Sequence, residues 1–425
     1  MAITVNVQPD GTAGITPAHN DIIFIVTSSN YAQTNFKFIA VVKDGSGNQI
    51  AKLKAPIQYG STDKAVFNLR RILQSYVSHN IGLSVDTTAR CTDSYADYSV
   101  EFGEEYGSTP TEYMALTTVS GQTVWNAAFD AHDWISYAFS DWIMTGSSKK
   151  FLTNLRRKAV TSTQKDFLYF WSKAYSGSPA PVAYLRVTGY NAAGSVLVQF
   201  DIPNSYTATA ANNRLLRVVS GPAQLDIMTT FAPYSVNIIT AGSGTPGTNL
   251  LTGNTSLAYY TIQPLNSTPT AIGEAYRFDL RTDCSKFDPV QLFWLNRLGG
   301  FDSWVFNGKS SKRQDSERRT FRKNPNEYAT TPSYGYSHAS RGSTEYVSRY
   351  TRTRTLNSGW LTDAEAEAFA ELFTSPHVLM IDADGHLLAV NVKGSSYEVR
   401  KAVNDKVVSI SVDIEESVGS YSQNA

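Results

Sequence analysis

Large apolar residues recur at every second position in several short stretches of this chain, and this spacing constrains the fold more than any other feature. The pattern is clearest at residues 196–202 and at residues 408–414, where Ser409, Ser411 and Asp413 lie between the apolar positions. Successive side chains of a β-strand point to opposite faces, so this period buries one face of each strand. The pattern predicts half-buried strands and a fold built mainly of β-sheets.

The composition suits a packed β-rich chain with more than one domain. Hydrophobic residues make up 42% of the 425 residues, charged residues 17% and aromatic residues 12%. This balance argues against disordered, collagen-like and coiled-coil proteins. A chain of this length holds about two to four domains. We therefore expect a mainly β, multidomain protein of β-sandwich or split-barrel-like modules with few short helices.

Changes in residue pattern divide the chain into three expected modules. Apolar runs at 36–43 and 49–54 flank a Gly-rich hairpin loop, and a 3.6-residue period at 64–80 predicts a helix. A Gly/Ser/Thr/Asn/Pro-rich stretch at 240–270 is the expected domain boundary. The modules are 1–105, a β-sandwich-like domain with one helix; 106–265, an aromatic-rich β domain; and 266–425, a β domain with a helix at 362–375 and a basic arm at 309–354.

Local signals are strongest in the last of these modules. Thr362 and Glu365 have the spacing of a capping box, and Pro376 follows as a stop signal, so we expect a helix over 362–375. Upstream, the apolar segments 291–296 and 301–306 flank a Gly-Gly turn, which predicts a hairpin.

Residues capable of catalysis or metal binding do not occur at the spacings that such chemistry needs. Cys91 and Cys284 lie far apart, and no histidine has another ligand at zinc spacing. The glycines of segment 242–247 resemble a dinucleotide loop, but Pro246 and the absence of a following helical period favour a surface loop. Segment 382–393 begins like a calcium loop but lacks its closing glutamate. We expect no catalytic, cofactor-binding or metal-binding residues, and no enzymatic activity.

Charge is concentrated in two segments of opposite sign. Residues 93–112 contain six acidic and no basic side chains, whereas residues 309–354 contain eleven Lys or Arg. Glu104 and Glu105 could do acid–base chemistry, but neighbours on a strand point apart, which favours a partner-facing acidic edge.

The basic arm could contact other subunits, form a positive surface without a specific role, or face DNA phosphates; subunit contact is favoured because no nucleic-acid-binding motif is present. The candidate subunit-interface residues are Lys312, Arg313, Arg318, Arg319, Arg322, Arg349, Arg352, Glu101, Glu104 and Glu105.

The middle of the chain is rich in large aromatic side chains, among them Trp125, Trp134, Trp142 and Trp171. Such side chains stack on sugars, but they also form cores and subunit contacts, in which each buries about 150–250 Å². We favour the core or interface interpretation, and glycan binding remains the alternative.

The whole chain shows no charge bias and no long apolar run. Lys and Arg total 37, as do Asp and Glu, so we expect no specific nucleic-acid partner. The longest apolar runs, 22–26 and 167–171, are too short to cross a bilayer, so no membrane anchor is expected. The N-terminal segment lacks the basic and apolar regions of a secretory signal, which predicts folding in a cytoplasm.

Three segments resemble structural proteins of tailed phages that infect Bacteroidota, including crAss-like phages and prophages. They are FKF at 36–38 together with RILQSYV at 71–77, WLNRLGGFDSW at 294–304, and the segment 360–376 from WLTD to ELFTSP. The C-terminal order of one helix followed by strands, the last of them an alternating acidic strand, is similar to tail-tube and distal-tail ring domains.

This resemblance implies a virion structural subunit of a tail ring, hub or tail tip, with residues 266–425 as its tail-ring-like domain. Such a subunit would form a head-to-tail homo-oligomer around the DNA-ejection channel and contact other tail or portal-proximal proteins. It would be made in the host cytoplasm and reside in the virion tail. The alternatives are a receptor- or glycan-binding tail protein, which rests on the aromatic middle, and a glycan-cleaving enzyme, which rests only on scattered carboxylates.

Overall fold

The chain folds mainly into β-sheets joined by a few short helices, which confirms the predicted fold class. The chain divides into two compact units, Met1–Thr282 with Leu295–Ser303, and Asp283–Trp294 with Trp304–Ala425. The computed structural model describes residues 3–9, 14–81, 88–173, 181–206, 214–228, 250–251, 254–281, 287–322, 327–328, 334–335, 343–381, 385–394 and 407–421.

The helices and strands of the first unit are β1 (Ile3–Val7), β2 (Ile15–Pro17), β3 (Ile23–Ser28), β4 (Lys37–Asp44), β5 (Gln49–Ala55), β6 (Lys64–Asn68), α1 (Arg70–Leu73), β7 (Thr88–Arg90), β8 (Tyr95–Tyr106), β9 (Thr111–Trp125), α2 (Ala131–Ile135), β10 (Arg157–Thr161), β11 (Phe167–Trp171), β12 (Tyr184–Asn191), β13 (Val196–Pro203), β14 (Leu215–Val219), α3 (Pro222–Met228), β15 (Leu257–Leu265) and β16 (Tyr276–Arg281). Within the described residues, these strands form four sheets. Their strand orders are β1-β3-β6, β2-β9-β8-β4-β5, β11-β14-β7 and β10-β16-β15-β12-β13.

The first two sheets enclose a single apolar core. Phe24, Phe38, Phe67 and Phe102 meet there, each of them at most 3% exposed. The predicted hairpin of β4 and β5 is confirmed by their antiparallel pairing. The boundary expected after residue 105 lies inside β8, which pairs with β9, so these two strands continue one sheet across that position.

The helix expected over residues 64–80 is shorter than its apolar period suggests. Residues 64–68 instead form β6, in which Ala65 and Phe67 are buried and their neighbours are exposed. Helix α1 has four residues, and Tyr76, expected on its apolar face, is 46% exposed. The prediction was wrong over 64–68, where β6 pairs with β3 and the buried Ala65 and Phe67 follow a period of two.

Strand β11 is the centre of the aromatic middle. All five of its side chains are buried, and the ring of Trp171 lies 5.7 Å from that of Trp125, centroid to centroid. The Tyr260 hydroxyl of β15 donates a hydrogen bond of 2.6 Å to the carbonyl of Ser220, next to β14. The small sheet of β11 therefore contacts both larger sheets of this unit. For Trp125 and Trp171 the core interpretation is confirmed.

The remaining described strands form one further sheet and a separate two-stranded ladder. The elements are β17 (Val290–Leu295), β18 (Phe301–Phe306), β19 (Ser311–Arg322), β20 (Glu327–Tyr328), β21 (Tyr334–Gly335), β22 (Ser343–Thr362), α4 (Asp363–Ala368), α5 (Ala370–Thr374), β23 (Val378–Ile381), β24 (Leu387–Lys393), β25 (Val407–Glu416) and β26 (Ser420–Tyr421). The strand order of the sheet is β18-β17-β23-β24-β25-β22-β19, with β26 paired to β22, and β20 pairs with β21 in the ladder.

The predicted C-terminal helix is present, and its capping box is confirmed. The backbone N–H of Thr362 donates to the Glu365 carboxylate at 2.8 Å, and the backbone N–H of Glu365 donates to the Thr362 hydroxyl at 3.4 Å. The helix is divided at Phe369 into α4 and α5. The Phe369 ring packs 5.5 Å from Trp294 and 5.2 Å from Trp304, so the helix pair covers the apolar face of the sheet.

Candidate functional site: the basic arm

The described part of the basic arm is a long antiparallel pair formed by β19 and the first half of β22. Twelve residue pairs join the two strands, from Ser311 opposite Thr355 to Arg322 opposite Ser343. At about 3.3 Å per residue this ladder is about 40 Å long. Strand β19 is the last strand of its sheet, and every one of its residues is exposed. An edge strand of this length presents a row of backbone groups to which another strand can pair.

A β-bulge interrupts the pairing of β22 with its other neighbour, β25. The register with β25 shifts between Asn357 and Trp360, and Gly359 lies between them with a φ of +71°. A Cβ at Gly359 would approach the side-chain oxygen of Asn307 to 2.8 Å. The positive φ and this close approach both favour glycine at the position. Bulges bend a strand and increase its twist, and this one lies close to the base of the arm.

One face of the arm is mainly basic, although Glu345 pairs with Arg318 towards its far end. Register pairing places Lys312 opposite Arg354 and Gln314 opposite Arg352, so these side chains share a face with Arg318. Arg354 contacts Glu416 of β25 at 3.8 Å. Within the described part of the chain, Lys312 and Arg352 make no ion pair with a carboxylate. Like charges directly across a ladder repel each other, so an acidic partner on this face would stabilise the arm.

The opposite face carries three arginines and two acidic residues that form ion pairs with one another. Arg313 donates to Asp315 at 2.8 Å, and Glu317 accepts from Arg319 at 3.1 Å and lies 3.3 Å from Arg349. These pairs are well exposed, so each contributes only about 0–1 kcal/mol. The arm therefore has a basic face with excess positive charge and a balanced face, on which each described cation has an acidic partner.

The acidic candidates lie on the central strand of their sheet, not on an edge. Strand β8 runs between β9 and β4. Glu101 pairs with Lys43, and Glu105 pairs with Lys54 and lies 3.7 Å from Lys37. The lysines of neighbouring strands thus provide counter-charges within the same sheet, which the run of acidic residues in the sequence does not show.

Glu104 differs from its neighbours because its side chain is completely buried. It accepts hydrogen bonds from the Ser28 hydroxyl and, at 2.9 Å, from the Asn30 amide. The expectation that Glu104 faces another subunit is therefore wrong. As the alternation of a strand requires, its side chain points inward while that of Glu105 points to the other face.

We expect Glu104→Ala to lower the free energy of unfolding by about 1.5–3 kcal/mol, because the buried Ser28 hydroxyl and the partly buried Asn30 amide lose a carboxylate acceptor. The matched control is Glu101→Ala, which removes a partly exposed ion pair and should cost at most about 1 kcal/mol. Urea unfolding of the two variants checks this prediction. Equal losses would contradict a structural role specific to Glu104.

A second candidate surface is a partly exposed aromatic patch around α2. It consists of Phe129, Trp134, Tyr137 and Trp142, with Ile135 beside them at 85% exposure. The Tyr137 ring lies 5.0 Å from Phe129 and 5.2 Å from Trp134, centroid to centroid. Unlike Trp125 and Trp171, these side chains remain accessible to a ligand or another protein.

Two kinds of feature are absent from the described part of the chain. No group of three or more His, Cys, Asp or Glu side chains there could hold a metal ion. No helix among the same residues is long and apolar enough to cross a membrane. The glycine-rich segment 242–247 and residues 382–384 lie outside the described residues, as do Lys323 and Arg341 of the arm.

Comparison with known proteins gives no family assignment. No protein-family model matches the chain, and no curated protein is significantly similar to it.

Proposed function

We propose that the protein is a structural subunit of a phage tail ring, hub or tail tip that assembles head to tail with copies of itself around a DNA-ejection channel. The observation that carries this proposal is the basic arm, a twelve-residue edge ladder with one strand exposed along its entire length. Among the described residues, only β19 and β22 form the part of the arm at Arg318–Arg322 and Ser343–Ser348, because β25 and β26 pair with β22 nearer its base. Isolated two-stranded ribbons are marginally stable in water, so a partner would stabilise this part of the arm. The resemblance of the three sequence segments supplies the biological setting.

The distribution of charge supports a second copy of the chain as that partner. Residues 309–354 contain eleven Lys or Arg and four Asp or Glu, a net charge of +7. Because the whole chain has a net charge of zero, all other residues together carry −7. Contact between the arm of one copy and the remainder of the next is therefore attractive and joins two different surfaces. Such heterologous contacts generate rings or open helical arrays.

In this proposal the protein resides in the virion tail and contacts other tail or portal-proximal proteins. Its proposed role is structural and requires no catalytic site.

We expect light scattering and electron micrographs of the purified protein to show rings or other head-to-tail oligomers. Changing Arg318, Arg319 and Arg322 together to alanine should weaken assembly while the monomer folds normally. Each exposed charge contributes only about 0–1 kcal/mol, so single substitutions should have small effects. A chain that remains monomeric at high concentration and is absent from virions would refute the proposal.

A gel-shift titration at several salt concentrations tests DNA as the partner of the same arm. If the arm neutralises phosphates, the slope of log affinity against log salt is about 0.9 per phosphate on duplex DNA. Tight and strongly salt-dependent binding, together with normal assembly of the triple variant, would assign the arm to DNA.

The exposed aromatic patch favours receptor or glycan binding as a second candidate function. Flat aromatic side chains next to an exposed Ile135 form a surface on which a sugar ring or an apolar partner can stack. A glycan array with the wild type and with Trp134→Ala tests this alternative, and binding that survives the substitution would exclude the patch.

A further inference from the structure

Three charged side chains meet in the interior of the first unit, far apart in sequence. The Lys158 ammonium nitrogen of β10 lies 3.0 Å from Oδ1 of Asp302 in β18 and 3.1 Å from Oδ2 of Asp166, next to β11. The lysine and Asp166 are completely buried, and Asp302 is 3% exposed. An amine and two carboxyl groups are thus held in contact and shielded from water.

Neutral donors hold both oxygens of Asp302. The Thr153 hydroxyl donates to Oδ1 at 2.7 Å, and the Asn296 amide donates to Oδ2 at 2.9 Å. Donors fixed in this way stabilise negative charge that develops on a carboxyl oxygen during nucleophilic attack at its carbon. Asp302 is therefore the better electrophile of the two aspartates.

Asp166 is placed to carry a proton. Its Oδ1 accepts from the Ser303 hydroxyl at 3.0 Å and from the backbone N–H of Phe167 at 2.9 Å, and its Oδ2 faces the lysine nitrogen. Burial raises the pKa of Asp166 above its ordinary value. Burial lowers the pKa of Lys158, but Asp166 and Asp302 together more than offset this, so that its pKa lies above the ordinary value. Burial thus favours the protonated form of Asp166.

We propose that Lys158 and Asp302 condense to form an intramolecular isopeptide bond, with Asp166 as the proton carrier. The ammonium first gives one proton to the Asp302 carboxylate, which produces an amine and a carboxylic acid. The nitrogen lone pair then attacks Cγ of Asp302. Asp166 accepts a second proton from the nitrogen and delivers its own proton to the departing hydroxyl, so that a C–N bond forms, a C–O bond breaks and one water leaves.

The reaction requires no oxidant, metal or other reactant, because the condensation of an amine and a carboxylic acid to an amide and water is balanced. Its barrier is lowered because the reacting groups are already in contact, which replaces a bimolecular encounter by an intramolecular step. The bond would connect β10 to β18 and close a long loop of the chain. This inference stands independently of the proposed function.

Mass spectrometry of the full-length wild-type protein after trypsin digestion tests the proposal directly. An amide at Lys158 blocks cleavage there, so we expect a branched peptide that joins residues 158–165 to residues 298–309, lighter than the sum of the two by one water. The same digest contains an internal control, because the partly exposed pair Lys43–Glu101 should yield no branched peptide. Unlinked peptides 159–165 and 298–309, with no branched peptide, would overturn the proposal.

The variant Asp166→Asn tests the assigned role of the proton carrier. It keeps the shape of the side chain, and circular dichroism should show that the protein folds. We expect the branched peptide to form about a hundredfold more slowly or to disappear, the range typical for loss of a general acid–base group. Unchanged formation, or a bond from Lys158 to Asp166 in the wild type, would refute this assignment of roles.

Discussion

Replacing Lys158 by alanine should lower the free energy of unfolding of the first unit by about 3–5 kcal/mol. The substitution leaves Asp166 and Asp302 close together in the interior without a counter-charge, and breaking a buried ion pair from one side typically costs this much. The loss is expected whether or not the isopeptide bond forms, and it would be larger with the bond present.

Urea unfolding followed by tryptophan fluorescence measures this effect, because Trp125 and Trp171 are fully buried in the same unit. The matched control is Lys52→Ala, which removes an exposed pair with Glu112 and should cost at most about 1 kcal/mol. If both variants unfolded at the same urea concentration, the cluster would have no stabilising role.

The predictions that the structure confirms rest on signals within a few neighbouring residues. The hairpin of β4 and β5 follows from two apolar runs around a Gly-rich loop, and the C-terminal helix follows from the capping box of Thr362 and Glu365. Turn chemistry and helix caps act between residues close in sequence, so the sequence reveals them directly.

The features that could not be predicted depend on strand register and on contacts distant in sequence. Lys158, Asp166 and Asp302 show no common spacing, and only the tertiary fold brings them together. Similarly, the sequence shows Glu101 and Glu105 in an acidic run without basic residues, and only the folded sheet brings Lys43 and Lys54 beside them. One weak signal was present, because Lys158 lies two positions before Val160 in β10, on the face that alternation assigns to the core.

The basic arm lies between these two cases. Its charge could be read from the sequence, but the two faces only follow from the pairing of Lys312 with Arg354 and of Arg313 with Thr353. Because charges on the two faces are paired differently, substitutions on one face or the other can remove the same net charge and differ only in position.

We expect that a chain without the arm loses its ability to assemble. Residues 313–353 can be replaced by Asn-Gly, because Lys312 and Arg354 are cross-strand partners and this dipeptide favours a two-residue hairpin turn. The remainder of β22 still pairs with β25, so the sheet should persist. Light scattering should show a folded monomer at concentrations at which the wild type is oligomeric. Oligomers of unchanged size would place the subunit contact elsewhere.

Two double variants then separate a specific contact from general attraction. Lys312→Ala with Arg352→Ala removes two cations from the basic face, and Arg313→Ala with Arg319→Ala removes two from the balanced face, so the change in net charge is the same. If the basic face binds an acidic surface of the next copy, the first variant should weaken assembly about tenfold more, since its two cations have no carboxylate partner within the described residues of their own chain. Similar weakening by both variants would mean that long-range charge attraction, and not docking of this face, drives association.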